Sequence, residues 1–179
     1  MKAELRKKIL QEMKALSQEQ KQAMDRALTE RFLQHPFYQE AKTIATYLSF
    51  PHEFQTQGLI KQALKEGKKV LIPKTYPKGR MEFVVYDPQQ LVKTSFGLLE
   101  PQGDLEVVEP SQIDLIHVPG LAFTTESYRI GYGGGYYDRY LENFAGHTMS
   151  TIYPCQIQNF NSEDHDIPIQ EVLIYEGNL

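Results

Sequence analysis

A chain of 179 residues, 41% of them hydrophobic, has enough apolar material for one packed domain, expected here to span residues 1–179. Its net charge of −4 gives no global field that would draw it to nucleic acid or an anionic membrane, so any anionic ligand must meet a local basic cluster. The single cysteine, Cys155, excludes an internal disulfide and a multi-cysteine zinc site.

The apolar runs are far too short to span a bilayer. The first residues, MKAELRKKIL, alternate charge with apolar positions and lack the hydrophobic stretch of a signal peptide. The expectation is a soluble, cytoplasmic protein.

In chain order, Leu5, Ile9, Met13 and Leu16 fall on one stripe at helical spacing. Ser17 followed by Gln20 predicts a capping box for a second helix, with Met24, Ala27, Leu28 and Phe32 inward and an end near His35-Pro36. Residues 43–50 (TIATYLSF) read as a buried strand and 56–66 as a helix stopped by Gly67. Strands are predicted at 69–72 and 81–86. The turn between them, Tyr76-Pro77-Lys78-Gly79, is too short for a crossover, so the second should pair antiparallel. Further strands are expected at 113–118, 148–153 and 172–175, with a short helix over 136–144. Helices alternating with apolar strands argue for an α/β sheet covered on both faces, mainly parallel but mixed.

The densest unusual stretch is RIGYGGGYYDRYL, residues 129–141. A tight turn is the plainer use of glycine, but two glycines usually suffice for that. A run of them also lets backbone N–H groups approach phosphate oxygens. The stretch is no P-loop, since GxxxxGK[ST] is absent. It also fails the dinucleotide fingerprint, because Tyr136 stands where the third glycine belongs. Asp138, in the first turn of the following helix, either complements the helix dipole or serves a metal–nucleotide, because magnesium keeps most of its waters and takes one or two protein carboxylates. At the other end of the chain, Lys2 and Arg6 lie four residues apart at the edge of the Leu5-Ile9-Met13 stripe, where they could reach a docked anion; Lys7 and Lys14 point away.

PGLAFTTESYRIGYGGGYYDRYL resembles the signature of the 5-formyltetrahydrofolate cyclo-ligase family. KAELRKK, LSFPHEFQT and HDIP fall, in order, where that family has its other blocks, so the resemblance spans nearly the whole chain. It implies ATP-driven closure of 5-formyltetrahydrofolate to 5,10-methenyltetrahydrofolate, with Mg²⁺, on a three-layer α/β/α fold with a mainly parallel, mixed sheet, similar to that of sugar-phosphate isomerases. It also implies that Lys2, Ala3, Glu4, Leu5 and Arg6 form an N-terminal ATP segment. Arg129, Ile130, Gly131, Tyr132, Gly133, Gly134, Gly135, Tyr136 and Tyr137 would wrap the phosphates, Arg129 and Tyr137 serving catalysis. Leu48, Glu53 and Tyr136 would meet the folate, and Asp138 and Asp166 the metal. Some relatives carry basic side chains at the positions of Tyr132 and Gly134, both uncharged here.

Lys74 is a secondary candidate for a phosphate or the folate tail, and His52, His117 and His165 lack zinc spacing. The partners implied are small molecules, with no nucleic acid and no membrane, in a monomer or weak homo-oligomer. Two other readings remain: a sugar-phosphate isomerase on the same architecture, and a non-catalytic folate- or nucleotide-binding module.

Overall fold

The computed structural model describes residues 2–93 and 99–177. It opens with α1 (Lys2–Lys14) and α2 (Gln18–Gln34). The predicted capping box is formed: Ser17 Oγ accepts from Gln20 N at 3.1 Å and Gln20 Oε1 accepts from Ser17 N at 3.2 Å. Met24, Leu28 and Phe32 are buried on α2, whereas Ala27 is only half-buried. The second helix ends at Gln34, next to the expected His35-Pro36, and the proline then starts α3 (Pro36–Glu40). Proline suits the first helical position, where no N–H is needed, and His35 Nδ1 accepts from Phe37 N at 3.0 Å.

The chain continues through β1 (Thr43–Ala45), α4 (Gln57–Lys65), β2 (Lys69–Thr75) and β3 (Met81–Val85). It goes on to β4 (Leu91–Lys93), β5 (Leu99–Pro101), β6 (Val107–Val108), β7 (Leu115–His117), β8 (Ala122–Phe123) and β9 (Arg129–Ile130). The last elements are α5 (Tyr136–Leu141), β10 (His147–Ile152) and β11 (Glu171–Ile174). Seven strands form one mixed sheet in the order β11-β10-β7-β1-β2-β3-β6, parallel from β11 to β2 and antiparallel at β3 and β6. The pairs β4–β5 and β8–β9 are separate hairpins.

Successive side chains on a strand face opposite ways, and both faces are buried. Ile44, Val70, Leu115 and Met149 pack with Met24, Leu28, Phe32 and Leu59 on the side of α1–α4. Ala45, Leu71, Ile116 and Ile152 turn to the other side and meet Phe83, Val118, Leu141 and Ile169. That second layer is thin, with α5 as its α-helical contribution among the described residues.

Several boundaries differ from expectation. The strand at 43–50 stops at Ala45. Beyond Thr46, whose N–H still meets Leu71 O at 2.9 Å, the chain is held by side chains instead: Thr56 Oγ1 donates to Tyr47 O at 2.6 Å, and the Glu53 carboxylate takes the N–H of Phe50 at 2.7 Å. The helix at 136–144 ends at Leu141. The short strands β4, β5, β6, β8 and β9 have two or three residues each, too few to show a period of two.

This topology creates a crevice. From β1 the chain crosses by α4 to β2 on one side, and returns to β7 on the other. Ligands of open α/β sheets bind where neighbouring connections diverge in this way, beyond the carboxyl ends of the strands. The segment after β1 carries Glu53, and the segment after β7 carries Arg129 and the glycine loop.

Candidate functional site

Arg129 reaches the crevice from the β8–β9 hairpin, whose tight turn uses Ser127 in the left-handed region (φ 72°). Its residue is only 8% exposed, and its Nε donates to the Pro119 carbonyl at 2.8 Å. That carbonyl lies in a pinned loop: Ser150 Oγ donates to Val118 O at 2.7 Å, and Gln156 Nε2 donates to Gly120 O at 3.0 Å and Leu121 O at 3.2 Å. The guanidinium carbon stands 5.5 Å from the Tyr137 ring centre, and Nη1 is 3.8 Å from Asp138 Oδ1. Burial pushes the Arg129 pKa down while Asp138 and Tyr137 oppose the shift. A Cβ at residue 131 would press on the end of this guanidinium, so Gly131 leaves room for the arginine's path.

The glycine loop, 131–135, then leads into α5 with Gly133 at φ 108° and Gly135 at φ 70°. Arg6 Nε donates to the Gly131 carbonyl at 2.8 Å, so α1 lies against the loop although 125 residues separate the two positions. Lys2 pairs with Glu163 at 2.9 Å. Lys2, Arg6, Arg129, Ile130, the loop, Tyr136, Tyr137, Asp138 and Asp166 together line a cavity of 420 Å³. Two buried polar atoms of these residues have no hydrogen-bond partner, Tyr137 OH and Asp138 Oδ1. Unpaired buried polar atoms are costly, and they are the groups a bound ligand or ion would satisfy.

Beside this cavity lies Glu53, only 4% exposed. Its Oε1 accepts from Phe50 N, and its Oε2 accepts from the Tyr132 hydroxyl at 3.1 Å. Burial raises the Glu53 carboxyl to about 7, against those hydrogen bonds and the charge of Lys21. His52 Nε2 is 2.8 Å from the same Tyr132 hydroxyl, and burial, helped by Lys14 and Lys21, lowers His52 to about 4. Neither His52 nor the inward turn of Tyr132 was anticipated; the 50–53 turn and the loop are joined only by folding.

The expected metal pair, Asp138 and Asp166, lines one cavity, and both act on Arg129 electrostatically. Among the described residues, the one group of three possible ligands with mutually close donor atoms is Glu163, His165 and Asp166, within 4.8 Å, and it does not include Asp138. The three histidines do not converge. His117 is buried between Thr46 and Thr151 at 2.8 and 2.9 Å, far from the environment of His165 beside Asp166.

Other candidates are placed differently. Ala3 is exposed and borders neither cavity at this end of the chain, whereas Glu4 and Leu5 line an adjoining cavity of 920 Å³ that shares Lys2 and Ile130 with the first. Leu48 packs, half-buried, against the core on the helical side. The Tyr136 hydroxyl donates to the Tyr76 carbonyl at 3.4 Å. Lys74 borders a separate cavity of 260 Å³ with Gln102 and Gly103.

Comparison with known proteins bears on this arrangement. The model of the 5-formyltetrahydrofolate cyclo-ligase family matches residues 1–175. A 5-formyltetrahydrofolate cyclo-ligase from Escherichia coli K12 is 35% identical over 173 residues, covering 92% of this chain and 95% of the relative. One from Mus musculus is 33% identical over 189 residues, covering 97% and 93%. Among solved structures, a 5,10-methenyltetrahydrofolate synthetase from Aquifex aeolicus superposes with a TM-score of 0.84 at 31% identity, covering 98% of this chain and 90% of the other. One from Mycoplasma pneumoniae gives 0.79 at 25% identity, covering 96% and 97%. With its mixed sheet, its crevice and a match along almost its entire length, this chain belongs to the 5-formyltetrahydrofolate cyclo-ligase family.

Proposed function

We propose that this enzyme converts 5-formyltetrahydrofolate to 5,10-methenyltetrahydrofolate, consuming ATP and releasing ADP and phosphate. The observation that carries the reading is convergence. Cations from segments far apart along the chain, Lys2, Arg6 and Arg129, border one cavity with Asp138 Oδ1 and Tyr137 OH, which lack hydrogen-bond partners, beside the buried Glu53.

An amide-like formyl oxygen is a poor leaving group. Transfer of the γ-phosphoryl group to it breaks the bond to ADP and makes an activated iminium phosphate. N10 then attacks the formyl carbon and loses its proton, the C–O bond breaks, and phosphate departs with the ring closed. The protein's task is to hold two anionic reactants in line and neutralise charge.

Arg129 is held by Pro119 O with its guanidinium facing the cavity, and so supports the transferring group. Arg6 and the loop amides hold the phosphates, and Lys2 joins them by exchanging Glu163 for the nucleotide. Tyr137 OH, buried and unpaired, donates to the formyl oxygen. Glu53 accepts the pterin N–H groups, which apolar walls cannot do. Asp138 offers a carboxylate oxygen without a hydrogen-bond partner, and with Asp166 on the same cavity it suits Mg²⁺, which when bound would supply charge neutralisation at the phosphates.

The test is a near-UV absorbance assay for the methenyl product with purified protein, 5-formyltetrahydrofolate, Mg²⁺ and ATP. Product forms only when both substrates are present, and Arg129→Ala lowers turnover about 10²-fold or more, the usual loss for a charge-stabilising donor. Product without ATP removes the phosphorylation step; no product with ATP ends the proposal.

A further inference from the structure

Glu53 is enclosed on its Oε2 side by a residue that is itself 45% exposed, Tyr132. Oε1 of Glu53 accepts from Phe50 N at 2.7 Å, and Oε2 accepts the one proton that the Tyr132 hydroxyl has to give, at 3.1 Å. His52 Nε2 lies 2.8 Å from the same phenol oxygen, within hydrogen-bond distance. The Phe50 ring stacks on His52 at 5.4 Å and lies tilted to Tyr132 at 5.7 Å. Phe50 and His52 thus back the one aromatic side chain, Tyr132, that touches the carboxylate.

The phenol does not sit there as part of a rigid element. Tyr132 is flanked by Gly131 and by Gly133, whose φ is 108°. Its neighbour's carbonyl, Gly131 O, is tied to Arg6, while its own side chain crosses to the 50–53 turn. A side chain with nearly half its surface exposed contributes little to the core. Its main specific interaction is this hydrogen-bond chain to Glu53.

We propose that Tyr132 is a displaceable cap on Glu53: its hydroxyl occupies the place of a ligand N–H donor, and the incoming reduced pterin must evict it to bind. This rests on the folate reading of the Glu53 slot given above. Tyr132 is accordingly a positioning residue that sets folate affinity through the closed loop. Binding gains the new hydrogen bonds only after losing the internal one, so the free protein holds its substrate more weakly than an open slot would.

The experiment compares wild type with Tyr132→Phe, which keeps the ring against Phe50 and removes only the hydroxyl. Calorimetric titration with 5-formyltetrahydrofolate, without nucleotide, reads the dissociation constant, and amide hydrogen exchange reads residues 131–135 in the free protein. The variant binds folate about tenfold more tightly and its loop amides exchange about tenfold faster, as loss of one hydrogen bond requires. In turnover, the ratio of folate KM to ATP KM falls by the same factor. His52→Phe, which retains an aromatic ring beside Phe50, shifts folate affinity in the same direction.

Folate binding by wild type with equal or weaker binding by Tyr132→Phe overturns the cap and leaves the function standing. A wild-type protein that binds no folate overturns the reading of the slot and the cap with it. Wild-type loop exchange in the variant also overturns the cap, because the hydroxyl then tethers nothing.

Discussion

A carboxyl group enclosed by protein keeps its proton to a higher pH than one in water, and Glu53, raised to about 7 by burial, carries that cost into the stability of the whole chain. Below the ordinary carboxyl range the folded and unfolded states are both protonated. Between about 4.5 and about 7 the unfolded chain releases this proton and the folded one retains it, so native stability falls as pH rises through that window. Glu53→Gln removes the effect. Denaturant unfolding at pH 5 and pH 8 therefore shows the variant gaining on wild type by roughly 3 kcal/mol across the interval. An unchanged difference would mean that the carboxyl is not enclosed. Arg129 and Glu53 stood out from the sequence because each belongs to a distinctive local block. Their partners did not: the donor to Glu53 Oε2 is 79 residues away, and the acceptor of Arg129 Nε lies in a Pro-Gly segment that reads as a simple strand stop.

At the scale of elements, the loop after β7 depends on buried side chains that no local pattern marks. Gln156, 3% exposed, donates to two carbonyls of that loop, and its Oε1 accepts from Tyr153 N at 2.8 Å. Gln156→Ala leaves these groups unpaired in the interior and lowers unfolding free energy by about 1–3 kcal/mol per orphaned group at most. It also lowers turnover, since Arg129 is aimed from the Pro119 carbonyl of the same loop. Equilibrium unfolding and the absorbance assay on one preparation check both effects. The long helices were legible because a 3.6-residue stripe repeats several times in α2, and the Ser17–Gln20 box marks its start. The strand at residue 43 was legible in kind but not in length. Past it, Thr56 Oγ1 holds the Tyr47 carbonyl and Glu53 holds the Phe50 N–H, side-chain contacts that propensity cannot register. The hairpin carrying Arg129 has two-residue strands, below the reach of any periodicity.

Across the molecule, the central strands are joined by a buried polar bridge. His117 on β7 sits between Thr46 Oγ1, just past β1, and Thr151 Oγ1 on β10, with the Phe32 ring 4.8 Å away. Enclosure lowers its pKa to about 3. A depressed histidine contributes stability that is fully present above its unfolded value near 6.5 and is lost as pH falls toward 3. His52, lowered to about 4, adds to the same loss, whereas Glu53 acts in the opposite sense. Unfolding free energy measured from pH 7 to pH 4 thus declines in wild type, and His117→Gln flattens the decline.

The sequence by itself determined the α/β class, the capped second helix, the antiparallel turn at residues 76–79 and the blocks that mark the family, because each is written in neighbouring residues. Only the tertiary structure decided that Arg6 meets the Gly131 carbonyl, that Tyr132 turns onto Glu53, and that Asp138 and Tyr137 keep buried polar atoms unpaired beside Arg129. Those contacts join segments distant along the chain. They exist because parallel strands β1 and β7 bring their carboxyl ends side by side, a consequence of sheet order that no local pattern of residues encodes.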